Sequence, residues 1–185
     1  MTVELPPTFT ATAARARGVH PRTLAEWQAQ ALIVELVPGV YRRADAPPAA
    51  YPALLALPYL APPDAVVCAR SAAAVHGLVD DAPEIVQVAV AHPSLDLDTV
   101  PLEVFVFPGG TFEIGRSSVE VWPGRVVPVY DSARTVVDLF RLRSRFGLGA
   151  AVTARARYLQ ASGHPAELAR VAAAVDDDAA EWLSR

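Results

Sequence analysis

The chain has 185 residues, 52% of them apolar, with 17 prolines, which allows one medium domain or two small ones and excludes a disordered polymer. No unbroken apolar run reaches the roughly 18 residues of a bilayer span, and MTVELPPTF lacks the basic start and apolar core of a secretory signal. The net charge of -4 is uneven: residues 1–43 hold five arginines against three acids, residues 44–130 three against ten, and residues 131–185 eight against seven, with no lysine anywhere.

In chain order, Phe9 to Arg43 predicts a helix-turn-helix followed by a β-wing. Thr10 and Thr12 are N-cap candidates for the AARAR run, and Gly18 supplies the positive φ that ends it. Pro21 suits the first turn of a second helix, in which Leu24 and Trp27 form the core side. Ile33 to Val37, the Pro38-Gly39 turn and Val40-Tyr41 predict a hairpin ending in Arg42-Arg43. The residues before Phe9 leave no room for the leading helix of a three-helix DNA-binding fold. Either they pack as an extended strap or another part of the chain supplies that support. ADAPPAAYP is a linker by composition, which gives an N-terminal domain over 1–45 and a second over 50–185.

Beyond the linker, Pro52 and Pro58 confine a leucine-rich stretch to about two helical turns. Residues 65–68 predict a buried strand containing the lone cysteine, Cys68, a buried thiol suited to a reducing cytoplasm. Ser71 is expected to cap a helix closed by Gly77. Strands are expected at 84–91, 101–107, 118–122 and 125–130, with Pro108-Gly109-Gly110 as a hairpin turn and Asp80, Asp81, Asp96 and Asp98 in loops. Asp131-Ser132 then begins a helix reaching about Phe146, with Ala133, Val136, Val137 and Phe140 on its apolar side and an Arg134–Asp138 ion pair on the opposite one. Two more helices and a short docked or frayed one follow. The fold class is α+β, an N-terminal winged helix-turn-helix plus a mixed domain with a small sheet and a helical final third.

DSARTVVDLFRLRSRFGLGAAVTARARYLQ (131–160), together with the F-T-x-x-x-A-x-x-x-G-V-x-x-R-T-L and G-V-Y-R pattern of the N-terminus and VVCARSAAAVHGL (66–78), resembles regulators of the AbiEi antitoxin family of type IV toxin-antitoxin and abortive-infection systems. The resemblance implies a cytoplasmic repressor that binds double-stranded DNA at an inverted-repeat operator of its own operon. It also implies that the second domain counteracts a nucleotidyltransferase-like toxin without requiring a direct complex. Some relatives act as stand-alone regulators.

The residues point to DNA contacts in a definite order. Arg22 and Thr23, in the first turn of the second helix, with His20 just before and Gln28 one turn on, are placed to reach base edges. Arg15, Arg17, Arg42 and Arg43 are candidates for phosphate. Arg141, Arg143, Arg145, Arg155 and Arg157 form a possible second basic surface, for which a solvated helix face is the competing reading. No catalytic residue, cofactor, metal site or membrane association is expected. The four histidines show no ligand spacing, and a Mg²⁺-dependent nuclease would need clustered acids and, usually, a lysine. A protein-interaction module is the remaining alternative.

Overall fold

A computed structural model describes residues 4–49, 51–93 and 101–184; the expected loop acids Asp96 and Asp98 lie outside them. The fold is mixed α+β and divides into two compact units, residues 1–61 with 121–125, and residues 62–120 with 126–185. The first unit thus runs past the linker expected at 44–52, because Pro52–Ala56, a 3-10 helix, and α3 (Leu57–Leu60) belong to it, the former packed on a strand of its sheet.

The first unit contains β1 (Thr8–Thr10), α1 (Ala11–Ala16), α2 (Pro21–Ala29), β2 (Ile33–Val37) and β3 (Val40–Arg43). The strands form an antiparallel sheet in the order β1-β3-β2, with Phe9 opposite Tyr41 and Val34 opposite Arg42. Both supports considered are present: the extended segment before β1 packs on the core, and Pro52–Ala56 packs on β2. Leu5 and Phe9 come from the extended N-terminal segment and are buried with Ala14, Val19, Leu24 and Ile33, and the Phe9 ring stacks on Tyr41 at 5.9 Å. Thr10 caps α1, its Oγ1 accepting from the Ala13 N–H at 3.0 Å, whereas Thr12, the other cap candidate, lies inside the helix. Trp27, expected in the core, is only half-buried at its edge.

In the second unit a five-stranded mixed sheet runs β6-β5-β4-β8-β7, from β4 (Val66–Val67), β5 (Val86–Val90), β6 (Leu102–Val106), β7 (Arg116–Trp122) and β8 (Arg125–Tyr130). The tip of the β7–β8 hairpin is grouped with the first unit. β5 is buried along its whole length and β6 only partly, as their compositions suggest. Helix α4 (Ala69–Val75) starts two residues before Ser71, so Ser71 is not its cap. The buried Gln87 of β5 takes that role: its Oε1 accepts from the Arg70 N–H at 2.7 Å while its own N–H donates to Ser71 Oγ at 2.9 Å. Cys68, immediately before α4, is fully buried, which pushes its thiol well above the ordinary range. Pro108-Gly109-Gly110 opens a one-turn helix, α5 (Gly109–Phe112), instead of turning a hairpin.

The helical third consists of α6 (Ser132–Arg141), α7 (Arg143–Phe146), α8 (Leu148–Gln160), α9 (Pro165–Val175) and α10 (Asp177–Leu183). Asp131 caps α6, and Gly147 ends α7 at φ +84°. α6 packs against α4, α8, α9 and α10, and every residue from Ala133 to Phe140 is buried. The side opposite Ala133, Val136, Val137 and Phe140 is therefore enclosed as well. Arg134 and Asp138 are both fully inside, joined Nε to Oδ1 at 3.0 Å. Arg134 Nη1 also donates to the carbonyls of Thr111 (2.5 Å) and Ile114 (2.7 Å), and its guanidinium lies 4.4 Å from the Tyr130 ring centroid. Arg141 adds a second cation at 3.4 Å from the same Asp138 oxygen. Burial nevertheless pushes the Asp138 carboxyl above its usual range, against the pull of both arginines.

Gly115 is required by this network. It sits at φ +74°, and a Cβ there would meet Arg134 Cβ at 2.5 Å. Asp138→Asn, which leaves a buried guanidinium without its counter-charge, is expected to cost about 3–5 kcal/mol, seen as a lower urea midpoint for unfolding. Gly115→Ala should lower the thermal midpoint as well, its strain alone being worth about 1–3 kcal/mol.

Candidate nucleic-acid interface

The charged side chains of the first unit number six arginines, Arg15, Arg17, Arg22, Arg42, Arg43 and Arg125, against four acids, Glu4, Glu26, Glu35 and Asp45. Which of these cations remain available is decided by their partners. Arg42 and Arg43, expected to hold phosphate, both have partners within the unit. Arg42 donates to the Ala46 carbonyl at 3.3 Å and to that of Pro47, and its guanidinium lies 5.1 Å from the Trp122 ring centroid. Arg43 makes a two-pronged pair with Asp45 and gives Nη1 to the Leu5 carbonyl at 3.0 Å, tying β3 to the N-terminal strap. The Asp45 carboxylate holds the Arg43 guanidinium above its ordinary range, and Arg43 in turn lowers Asp45. Arg125, at the hairpin tip, faces the Tyr59 ring at 6.0 Å.

Besides the exposed Arg125, the exposed arginines of the first unit are on α1 and at the start of α2. Arg15 is exposed and has no side-chain partner among the described residues. Arg17, also exposed, reaches back to the Ala13 carbonyl at 3.3 Å. Gly18, at φ +82°, turns the chain so that α2 follows directly. His20 is the N-cap of α2, its Nδ1 accepting from the Arg22 N–H at 3.3 Å, so that nitrogen is not free to meet a base. Arg22 points outward, its side chain 86% exposed and joined through Nε to Glu26 Oε1 at 3.1 Å. Thr23 is half-buried. Gln28 is exposed, and its Nε2 lies 3.5 Å from Glu35 Oε2, while Glu35 Oε1 accepts from the Gly39 N–H at 2.9 Å and so fixes the β2–β3 turn. Arg15 and Gln28 meet along a cleft of about 320 Å³ between α1 and α2, which Thr12, Val19, Leu24 and Tyr41 also line.

Sequence reasoning missed Glu26. The signal was present, since Arg22 and Glu26 are four apart on one helix, but a partner of opposite charge reads as a solvated pair until both ends are seen on the exposed side.

The arginines of the possible second basic surface are mostly paired. Arg141 is mostly buried over the Phe107 ring, 4.0 Å from its centroid. Arg143 pairs with Asp178 at 2.6 Å, Arg145 with Glu103, and Arg157 with Asp80 at 2.7 Å. Arg155 is half-buried with its Nε enclosed. Acids distant in sequence thus pair with three of the five. Among the described residues no three His, Cys, Asp or Glu side chains converge as a metal site, and no helix is long and apolar enough to cross a membrane. His76, five residues after Ser71, has its Nε2 2.6 Å from the Tyr130 carbonyl and anchors α4 to β8.

Because Arg42 and Arg43 hold the first unit together and Arg15 holds nothing, the two classes should separate in a melt. Arg43→Ala is expected to lower the thermal midpoint measurably, since it releases the strap from β3, whereas Arg15→Ala should leave it within about one degree.

No protein-family model matches this sequence, and no curated protein matches it. Among solved structures it is similar to the crystal structure of the RV2827C protein from Mycobacterium tuberculosis, with 17% identity and a TM-score of 0.61 over 96% of this chain and 71% of that one. At that identity the likeness concerns the fold alone.

Proposed function

We propose that the protein is a DNA-binding transcriptional regulator whose first unit is a winged helix-turn-helix, with α2 as the recognition helix and the β2–β3 hairpin as the wing. The observation that carries this reading is where the arginines of the first unit find their partners. Those away from α1 and α2 are tied to a carbonyl, a carboxylate or an aromatic face elsewhere in the unit, while Arg15 has no partner among the described residues and Arg17 and Arg22 have only a neighbour on their own helix, all three exposed around one short turn. Arg22 also stands in the first turn of α2, where the positive end of the helix dipole favours an acid, so helix stability does not account for it. Duplex DNA rewards such an arrangement: phosphates take Arg15 and Arg17, and the helix N-terminus enters the major groove.

The likeness of residues 131–160, 66–78 and the N-terminus to AbiEi regulators supports the narrower reading of an antitoxin. It would repress its own operon at an inverted repeat and counteract a nucleotidyltransferase-like toxin through the second unit, with no catalytic step and no cofactor of its own. A regulator without a toxin partner is the alternative within the same class. A pure protein-interaction module has one feature in its favour, the exposure of Leu32 and Val34 beside each other at the edge strand β2.

Fluorescence anisotropy with the duplex upstream of its own gene tests the DNA-binding reading. The affinity should fall steeply with salt, and Arg15→Ala with Arg17→Ala should reduce the slope of log K against log salt by roughly 2, one cation per arginine. Arg42→Ala should leave that slope unchanged. A wild-type protein that fails to bind duplex at low salt would contradict the reading, and co-expression with a neighbouring nucleotidyltransferase gene tests the antitoxin half.

A further inference from the structure

Arg22 and Glu26 form an ion pair that stability does not call for. The order, cation first and acid one turn later, is the weaker orientation along a helix, the cation opposes the helix dipole, and the side chains are 86% and 54% exposed, where such a pair is worth little. Its geometry is nevertheless specific. Glu26 Oε1 takes the Nε hydrogen of Arg22 at 3.1 Å. The outer edge of the guanidinium, carrying Nη1 and Nη2, is left without a protein partner among the described residues. A guanidinium in that state presents two parallel donors, the complement of guanine O6 and N7 in the major groove.

The carboxylate also decides what Arg22 does not bind. A phosphate brought to its outer edge would stand close to the Glu26 charge, whereas the edge of a base is neutral. Arg15 and Arg17 have no acid beside them and suit phosphate. The second Glu26 oxygen accepts no hydrogen bond among the described residues and is available to the exocyclic amino group of a neighbouring cytosine.

Resting on the DNA-binding reading above, we propose that Glu26 is a positioning and specificity residue. It aims Arg22 at a guanine and disfavours both phosphate at that place and an acceptor-bearing base at the adjoining one.

Sites selected by the wild-type protein from a pool of random-sequence duplexes supply the probe, and anisotropy measures the loss when each guanine·cytosine pair is exchanged. At one position the exchange should cost the wild type about tenfold or more. In Arg22→Ala that discrimination should vanish. In Glu26→Ala it should drop to about threefold or less while binding to unrelated duplex becomes tighter, because an acid has left the interface. Glu26→Gln, which keeps an acceptor oxygen in place, should recover most of the discrimination, a rescue that a merely structural role would not show. Unchanged thermal midpoints establish that the variants are folded, and Arg15→Ala should weaken all duplexes alike with discrimination intact. Full discrimination in Glu26→Ala overturns the proposal and leaves the DNA-binding reading standing. A wild-type protein that enriches no sequence overturns both.

Discussion

The second unit is organised around one buried cation. Arg134 leaves α6 through the interior, and with a single guanidinium it satisfies the Thr111 and Ile114 carbonyls, pairs with Asp138 and lies over the Tyr130 ring. Taking a guanidinium out of water is costly, and here the cost is offset by the Asp138 charge and by partners for Nε and Nη1, while Nη2 is buried without a hydrogen-bond partner among the described residues. Several separate features follow from that requirement. The chain after α5 must pass close enough to offer two carbonyls, Gly115 must be without a side chain, and Asp131 must cap α6 at the same time as its N–H meets the Gly115 carbonyl at 2.8 Å. Tyr130 completes the enclosure by donating its hydroxyl to the Phe112 carbonyl at 2.8 Å, and burial raises its hydroxyl well above the ordinary range. The connection between sheet and helices is therefore polar at its centre and apolar around it.

Local signals were legible where they depend on a few neighbouring residues. The Thr10 cap, the left-handed Gly18, Pro21 in a first turn and the Pro38-Gly39 turn all appear as composition suggests, because each rests on one residue's own conformational preference or on a hydrogen bond within one turn. What could not be read depends on partners far along the chain. Arg145 meets an acid 42 residues away and Arg157 one 77 residues away, so a row of arginines that looks basic in one dimension is mostly paired in three. The same holds for Gln87 capping α4 in place of Ser71. The Arg134–Asp138 pair follows from the spacing of four but its burial does not, since helical periodicity reveals which residues share a face and not what covers that face.

The candidate interface shows the same division in reverse. Its residues were foreseen as a set, and the structure sorts them by what else they are doing. Arg42 and Arg43 pull the linker and the N-terminal strap onto the sheet. Those of α1 and α2 have nothing internal to hold apart from a neighbour on their own helix. A small domain that gives up two of its cations to its own backbone keeps a stable shape from few apolar residues, and concentrates its remaining positive charge near one turn.

Cys68 gives the second unit an intrinsic reporter. It is the chain's one thiol, wholly enclosed between β4 and α4, and burial keeps it protonated. A disulfide-exchange reagent can reach it only when that part of the molecule opens, so the rate of labelling in native buffer measures the frequency of those excursions directly. The first unit contains no cysteine and would stay silent, which allows the breathing of one half of the molecule to be followed without introducing any probe.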